Sequence, residues 1–326
     1  TGNTADGAAK NIGYRINYGE ALGTNWTYPE GITPSKDEDL GPPLFYRAFE
    51  TTGTKTVQLR CKDSDGNEST ISMSVVVAAS STLTTVNIPV SDGAWPTFVS
   101  SRRYTLDAGG SYAGFGVANF NGLHNIVIEK TGSGADPVMS ICFDSRHFFS
   151  SGANRAANVR TQNIDVTNLT IQTVGFDYCG IINGRCRQIS TNPYGFVFDN
   201  DVSSEAEANS IRFPRAMFLW NCGETNSNGT YVWISSVDGG AWYGVKFNHN
   251  ATGNEHCIRF SGTNNFAIRY SNFYNTQTHK TICKFQGKEH SGGGDPPTWR
   301  DDGRVGLYGT GQYGYPSVNT FFDRVQ

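Results

Sequence analysis

GNEHCIRFSGTNNFAIRYSNFYNTQTHKTICKFQG, residues 253–287, carries the pattern that decides the fold. "HCIRF" sets Arg259 beside Phe260, and "TICKF" repeats the arrangement with Lys284 and Phe285, 25 residues on (260 to 285). Between them runs another β-prone segment, "FAIRYSNF" (266–273). A strand alternates its side chains between two faces. Two strand types that take turns within one repeat therefore require two sheets, each visited once per repeat.

The same alternation extends backwards. One series reads "NIVIEK" (125–130), "NIDVTNLTIQ" (163–172), "FVFDNDVS" (196–203), "FLWNCGE" (218–224) and "GVKFNHN" (244–250) before "FAIRYSNF". The other reads "SICFDSRHFF" (140–149), "SIRFPRAMF" (210–218) and "TYVWISS" (230–236) before "EHCIRF" and "TICKF". Late in the chain each recurs about every 22 to 27 residues, the period of a solenoid whose coils feed parallel sheets. Asn-rich turns after the first series ("DN", "HN", "SNF") supply the tight bends.

Composition agrees. Of 326 residues only 17% are charged, 38 are Gly, and Asn, Ser and Thr recur throughout, the profile of a turn-rich all-β chain. A net charge of −3 and a pI near 6.1 exclude the global basic field of a nucleic-acid binder. No apolar run reaches the roughly 18 residues of a membrane span. The sequence opens without Met or signal peptide and reads as a trimmed or mature form. Seven cysteines include no CxxC pair, which argues against structural zinc. A Cys179–Cys186 disulfide and small buried thiols stay open as alternatives.

Residues 1–79 read differently. "YRINYGE" (14–20) is a short strand ending in a Gly turn, and "FYRAFETTGTKTVQLRCKDSDGNESTISMSVVV" (45–77) gives two long strands around "DSDGNES". Thr56, Gln58 and Arg60 alternate with Val57, Leu59 and Cys61. This stretch resembles the polycystic kidney disease (PKD) domain, a small immunoglobulin-like β-sandwich of secreted enzymes. "INYGE" stands at the family's Trp-Asp-Phe-Gly-Asp motif, with Tyr18 and Glu20 as departures. Asp63 and Asp65 are either calcium ligands or the caps of an Asx turn. Residues 80–85 are the expected linker, and 86–326 the solenoid.

The solenoid part resembles the right-handed parallel β-helix superfamily of pectate-lyase-like and chondroitinase-B-like proteins, on its repeated pattern and not on a unique motif. The resemblance implies an all-β, two-module protein, secreted or cell-surface, that acts as a polysaccharide lyase on an anionic, uronate-containing glycan. The alternatives are a glycoside hydrolase of the same fold and a non-catalytic glycan-binding or adhesion module.

Aligned by their shared strand, "SIRF", "YVWI", "HCIRF" and "TICKF" put Arg212, Trp233, Arg259 and Lys284 in one file, with Ile211, Ile258 and Cys283 facing inward. Stacked like charges repel, so the file calls for an anion above it or an acid such as Glu255 beside it. An acidic glycan fits, because uronate carboxylates repeat about once per coil spacing. β-Elimination needs a cation to neutralise the carboxylate and a base to take the C5 proton. Arg259 is assigned the first role and Lys284 a second cation or the base; His256, Lys280 and His290 are alternative bases. Arg146 and His147 ("CFDSRHFF") are further binding candidates, as are Trp242 and Tyr243 ("DGGAWYG"), which either stack on sugars or cover a Gly turn. The bland alternative is that these cations only keep an exposed sheet soluble. No cofactor is required, and calcium stays open. For a hydrolase, Asp144, Asp177 and Asp199 are the carboxylates available, with no pair singled out by spacing.

Overall fold

The computed structural model describes residues 2–3, 9–10, 12–20, 37–40, 49, 51–120, 122–142, 156–170, 176–186, 197–198, 215–222, 224–226, 232–235, 238–248, 258–261, 264–274, 283–286 and 321–323. Strands and three short 3₁₀ turns make up the regular structure of these residues, so the chain is all-β.

From Thr84 onwards the strands pair in parallel. The largest sheet runs Thr84–Ile88, Arg102–Asp107, His124–Thr131, Ala156–Gln162, then Phe176–Asp177 with Gly180–Ile182, and on through Arg215–Trp220, Asp238–Tyr243, Asn264–Arg269 and Phe321–Asp323. Beside it lie a four-stranded sheet (Val117–Asn119, Val138–Cys142, Asp165–Thr170, Arg185–Cys186) and a three-stranded one (Glu224–Asn226, Lys246–Asn248, Asn272–Tyr274). A further four-stranded sheet joins Val197–Phe198, Val232–Ser235, Ile258–Ser261 and Cys283–Gln286. Chain returning in register to the same sheets, coil after coil, is compatible with a parallel β-helix.

Two ladders of left-handed residues turn the corners. Asn163, Asn183, Asn221, Gly244 and Tyr270 (φ 55°, 51°, 47°, 65° and 47°) each follow a strand of the large sheet. Every one of the first four donates its N–H to the residue before the next corner: Asn163 to Ile182 O (3.0 Å), Asn183 to Trp220 O (2.9 Å), Asn221 to Tyr243 O (2.7 Å) and Gly244 to Arg269 O (3.0 Å). Asn and Gly tolerate positive φ best, which is why they recur here. The next residue plugs the interior: Ile164, Cys222, Val245 and Ser271 are fully buried. "SNF" is therefore not a bend as a whole; Ser271 is such a plug and Asn272 opens the next strand. "DN" and "HN" lie outside the described residues. A second ladder, Ser101, Asn125, Asn158 and Tyr178 (φ 58°, 56°, 54°, 58°), precedes or opens the large-sheet strands.

The core is a stack of rungs. Val86, Tyr104, Ile128, Thr161, Ile181, Leu219, Trp242, Ile268 and Phe322 are successive register partners. All but the terminal two are buried. At the first coils Trp95, Phe98, Tyr104, Tyr112, Phe115 and Phe120 form an aromatic cluster, with Trp95 stacked on Tyr112 at 5.4 Å. Tyr112 Oη donates to Ile88 O at 2.6 Å, and burial pushes its pKa up.

Towards the N-terminus, Asp37–Leu40, Ile12–Asn17, Gly53–Asp63 and Glu68–Val77 form one antiparallel sheet in that order. The two long strands and their turn match the sequence reading. Among the described residues, the other antiparallel pairing of this region joins Gly2–Asn3 to Ala9–Lys10. Lys55 is buried and pairs with Glu20 at 2.6 Å, while Ile71, Met73 and Val76 of the outer strand stand exposed. The expected linker 80–85 ends inside the large sheet, because Val86 and Ile88 of the strand Thr84–Ile88 face the core.

Candidate functional site

Trp233, Arg259 and Lys284 are register partners on three adjacent parallel strands. Neighbouring strands lie about 4.8 Å apart, so the two cationic residues and the indole-bearing one occupy one line across the sheet. The fourth position belongs to Val197, not to Arg212. The alignment assumed a constant period, whereas 36 residues separate Val197 from Trp233 (233 − 197) against 26 (259 − 233) and 25 (284 − 259) for the later coils. The longer coil passes through residues 199–214, which contain Arg212 and lie outside the described residues. Glu255, His256, Lys280, His290, Arg146 and His147 also lie outside them.

"DGGAWY" is a strand and not a Gly-rich loop. Asp238–Tyr243 pairs with both Arg215–Trp220 and Asn264–Arg269 in the large sheet. Alternation then divides its two aromatics. Trp242 is fully buried in the core against Phe247 and Phe266, which removes it from any sugar-stacking surface. Tyr243 faces the opposite side, yet it too is buried, stacked on Trp220 at 4.3 Å and followed by Tyr270 at 5.1 Å. Buried Arg269 lies 5.8 Å from the Tyr243 ring and 5.5 Å from that of Tyr270. These rings pack the outer face of the sheet; they do not present a platform.

The first coils of that outer face are charged. Glu129 is gripped through Oε1 by Arg103, whose Nη1 also donates to Thr85 Oγ1 at 3.2 Å, and its Oε2 accepts from Ser80 Oγ at 3.0 Å. Arg160, beside Val127 in register, projects from the same face, because Val159 and Thr161 on either side of it are buried in the core. Its Nε is buried without a hydrogen-bond partner. Burial lowers its pKa, partly offset by the Glu129 carboxylate. Arg103 holds this carboxylate in contact while Arg160 feels it only through space, so the group carries a surplus positive charge in a half-buried setting, where charge interactions are less screened. Periodicity gave no hint of this imbalance.

Asp63 is committed to its own turn. Oδ1 accepts from Asp65 N (3.0 Å) and Asn67 N (2.8 Å), and Oδ2 from Asn67 Nδ2 (2.9 Å), the Asx arrangement. Among the described residues no group of three or more His, Cys, Asp or Glu is placed to hold a metal, and no helix is long and apolar enough to cross a membrane. Cys179 and Cys222 are free, buried thiols; a Cys179–Cys186 bridge is absent because Cys179 is a core residue, its Sγ 3.7 Å from Ala156 O. Burial pushes the Cys222 pKa up to about 12, so that thiol is inert.

Compared with known proteins, the chain matches no family model, no curated protein and no solved structure.

Proposed function

We propose that this is a secreted carbohydrate-active protein, a PKD-like sandwich joined to a right-handed parallel β-helix, that cleaves a uronate-containing polysaccharide by β-elimination. The observation that carries the reading is the register line Trp233–Arg259–Lys284. Cations one strand apart can follow the carboxylates of an acidic polymer. In this reading Arg259 neutralises the carboxylate of the reacting sugar and so acidifies its C5 proton. Lys284 serves as a second cation or as the base that takes the proton. The electron pair left at C5 expels the C4 oxygen, giving an unsaturated uronate and a new free end.

Purified protein is incubated with alginate, pectate, glucuronan and glycosaminoglycans while the ultraviolet absorbance of the unsaturated product is followed. The expected result is absorbance on one of these substrates, lost by about a hundredfold or more in kcat/KM in Arg259→Ala and Lys284→Ala. New reducing ends without absorbance would replace the lyase by a hydrolase. Glycan retention with neither product would make the chain a binding module. Wild-type turnover in both variants would overturn the assigned roles.

A further inference from the structure

The outer face of the large sheet carries a second constellation, on a different sheet from the one just discussed. Among the described residues Arg160 has no hydrogen bond or ion pair, and the two Glu129 oxygens are already bound, one by Arg103 and one by Ser80. Only its Nε is sealed off without a partner, so the terminal nitrogens of the fork are the ones left open to solvent. Leaving a half-buried guanidinium unsatisfied is costly, and a planar fork of this kind matches a carboxylate in two parallel bonds.

Two residues before Arg160 the chain turns the corner, and there the exposed ladder begins. Asn158 donates through Nδ2 to Asn125 Oδ1 of the previous coil at 3.1 Å, and both are exposed. In the next coil Tyr178 stands beside Asn158, since Ala157 and Asp177 are register partners. Tyr178 holds φ 58° and is 47% exposed. A bulky residue in the left-handed region is strained. Here that conformation leaves the residue half exposed beside Asn158.

We infer that Arg160, Asn125, Asn158 and Tyr178 form a binding site for a uronate-bearing sugar: the guanidinium takes the carboxylate, the amides take hydroxyls, and the ring stacks on the sugar face. The choice of a sugar over a peptide carboxylate rests on the reading of the chain as a protein that acts on acidic glycans, and the peptide arm below tests it. The site is independent of the Arg259–Lys284 line and does not require it to be catalytic.

The test is calorimetric titration of the Arg259→Ala/Lys284→Ala double variant, which silences that other line, with oligogalacturonate, oligomannuronate and oligoglucuronate. Binding of one of these is expected, weakened about tenfold or more by Arg160→Gln. Tyr178→Asn, which removes the ring and keeps a residue suited to positive φ, should also weaken it without disturbing the fold. The neutral galactan oligomer should not bind. Failure of all three uronates, equal affinity after both substitutions, or equal binding of a Glu-rich peptide that ignores Tyr178→Asn would each overturn the site. If Arg160→Gln does not fold, Tyr178→Asn alone decides. Since the measurement reads binding in a background without the proposed catalytic cations, it stands whether or not the chain proves to be a lyase.

Discussion

The N-terminal antiparallel sheet and the parallel stack settle their registers by different means. In the sheet, the turn Asp63–Asn67 aligns ten residue pairs, from Lys62↔Glu68 to Gly53↔Val77, through contacts made within a few residues. Among its described residues Ile16, Tyr18 and Lys55 are buried, while Ile71 and Met73 are 68% and 60% exposed. In the stack, alignment comes from residues one coil apart, through corner N–H groups and inward plugs, and one apolar cluster runs from Ile88 to Phe273. A hairpin is defined by its loop; a parallel coil is defined only by its neighbours.

If that contrast is right, damage to one region should leave the other standing. Lys55→Ala removes the ammonium beside nearly buried Glu20, which keeps its hydrogen bond from Thr51 Oγ1, and should cost the N-terminal sheet about 3 kcal/mol. In a denaturant titration only the N-terminal transition should move; a shift of the whole curve would mean the regions unfold as one. Gly180→Ala attacks the stack. An added Cβ would strike the carbonyl oxygen and ring of Phe218, so the second transition should fall by about 2 kcal/mol.

Thr161→Val should act in the opposite direction. Thr161 sits among aliphatic rungs with its Oγ1 buried and unpartnered, so the isosteric apolar side chain should stabilise the stack by about 1 kcal/mol. No gain in midpoint would show that the hydroxyl is satisfied in solution.

The smallest effect concerns Cys222. Its thiol titrates near 12 in the folded chain, against an ordinary value of about 9. Above that ordinary value the unfolded chain gains thiolate that the folded chain cannot. Stability should therefore fall as pH rises from about 9 to about 12, and Cys222→Ser should flatten that slope. Peptide mapping after maleimide treatment at neutral pH should find Cys222 unmodified until denaturant is added; prompt labelling would contradict its burial.

How far each region could be read follows from the same contrast. Alternation around "DSDGNES" located two strands and their turn, because everything that shapes a hairpin lies within a few residues. In the later coils the repeated "CIRF" and "ICKF" put Arg259 and Lys284 in register, since their spacing is constant. Arg212 failed on the same reasoning, because one coil is longer and Val197 holds that rung. "DGGAWY" gives no strand signal because two glycines mask the period, so neither sugar stacking nor a Gly turn describes Trp242 and Tyr243. As a strand between two others, it sends one ring inward and packs the other beneath Trp220.

Composition and periodicity alone were sufficient for the all-β class, the parallel repeat and the hairpin, because these depend on residue type and on distance along the chain. Which residues share a rung, which aromatics face water, and which arginine is left without its acid emerged only when coils were stacked. Those properties are set by contacts between residues 20 to 40 positions apart in sequence, such as Gly180 under Phe218 or Arg103 claiming Glu129. Local pattern carries no record of how long each intervening loop is, and that length decides every meeting.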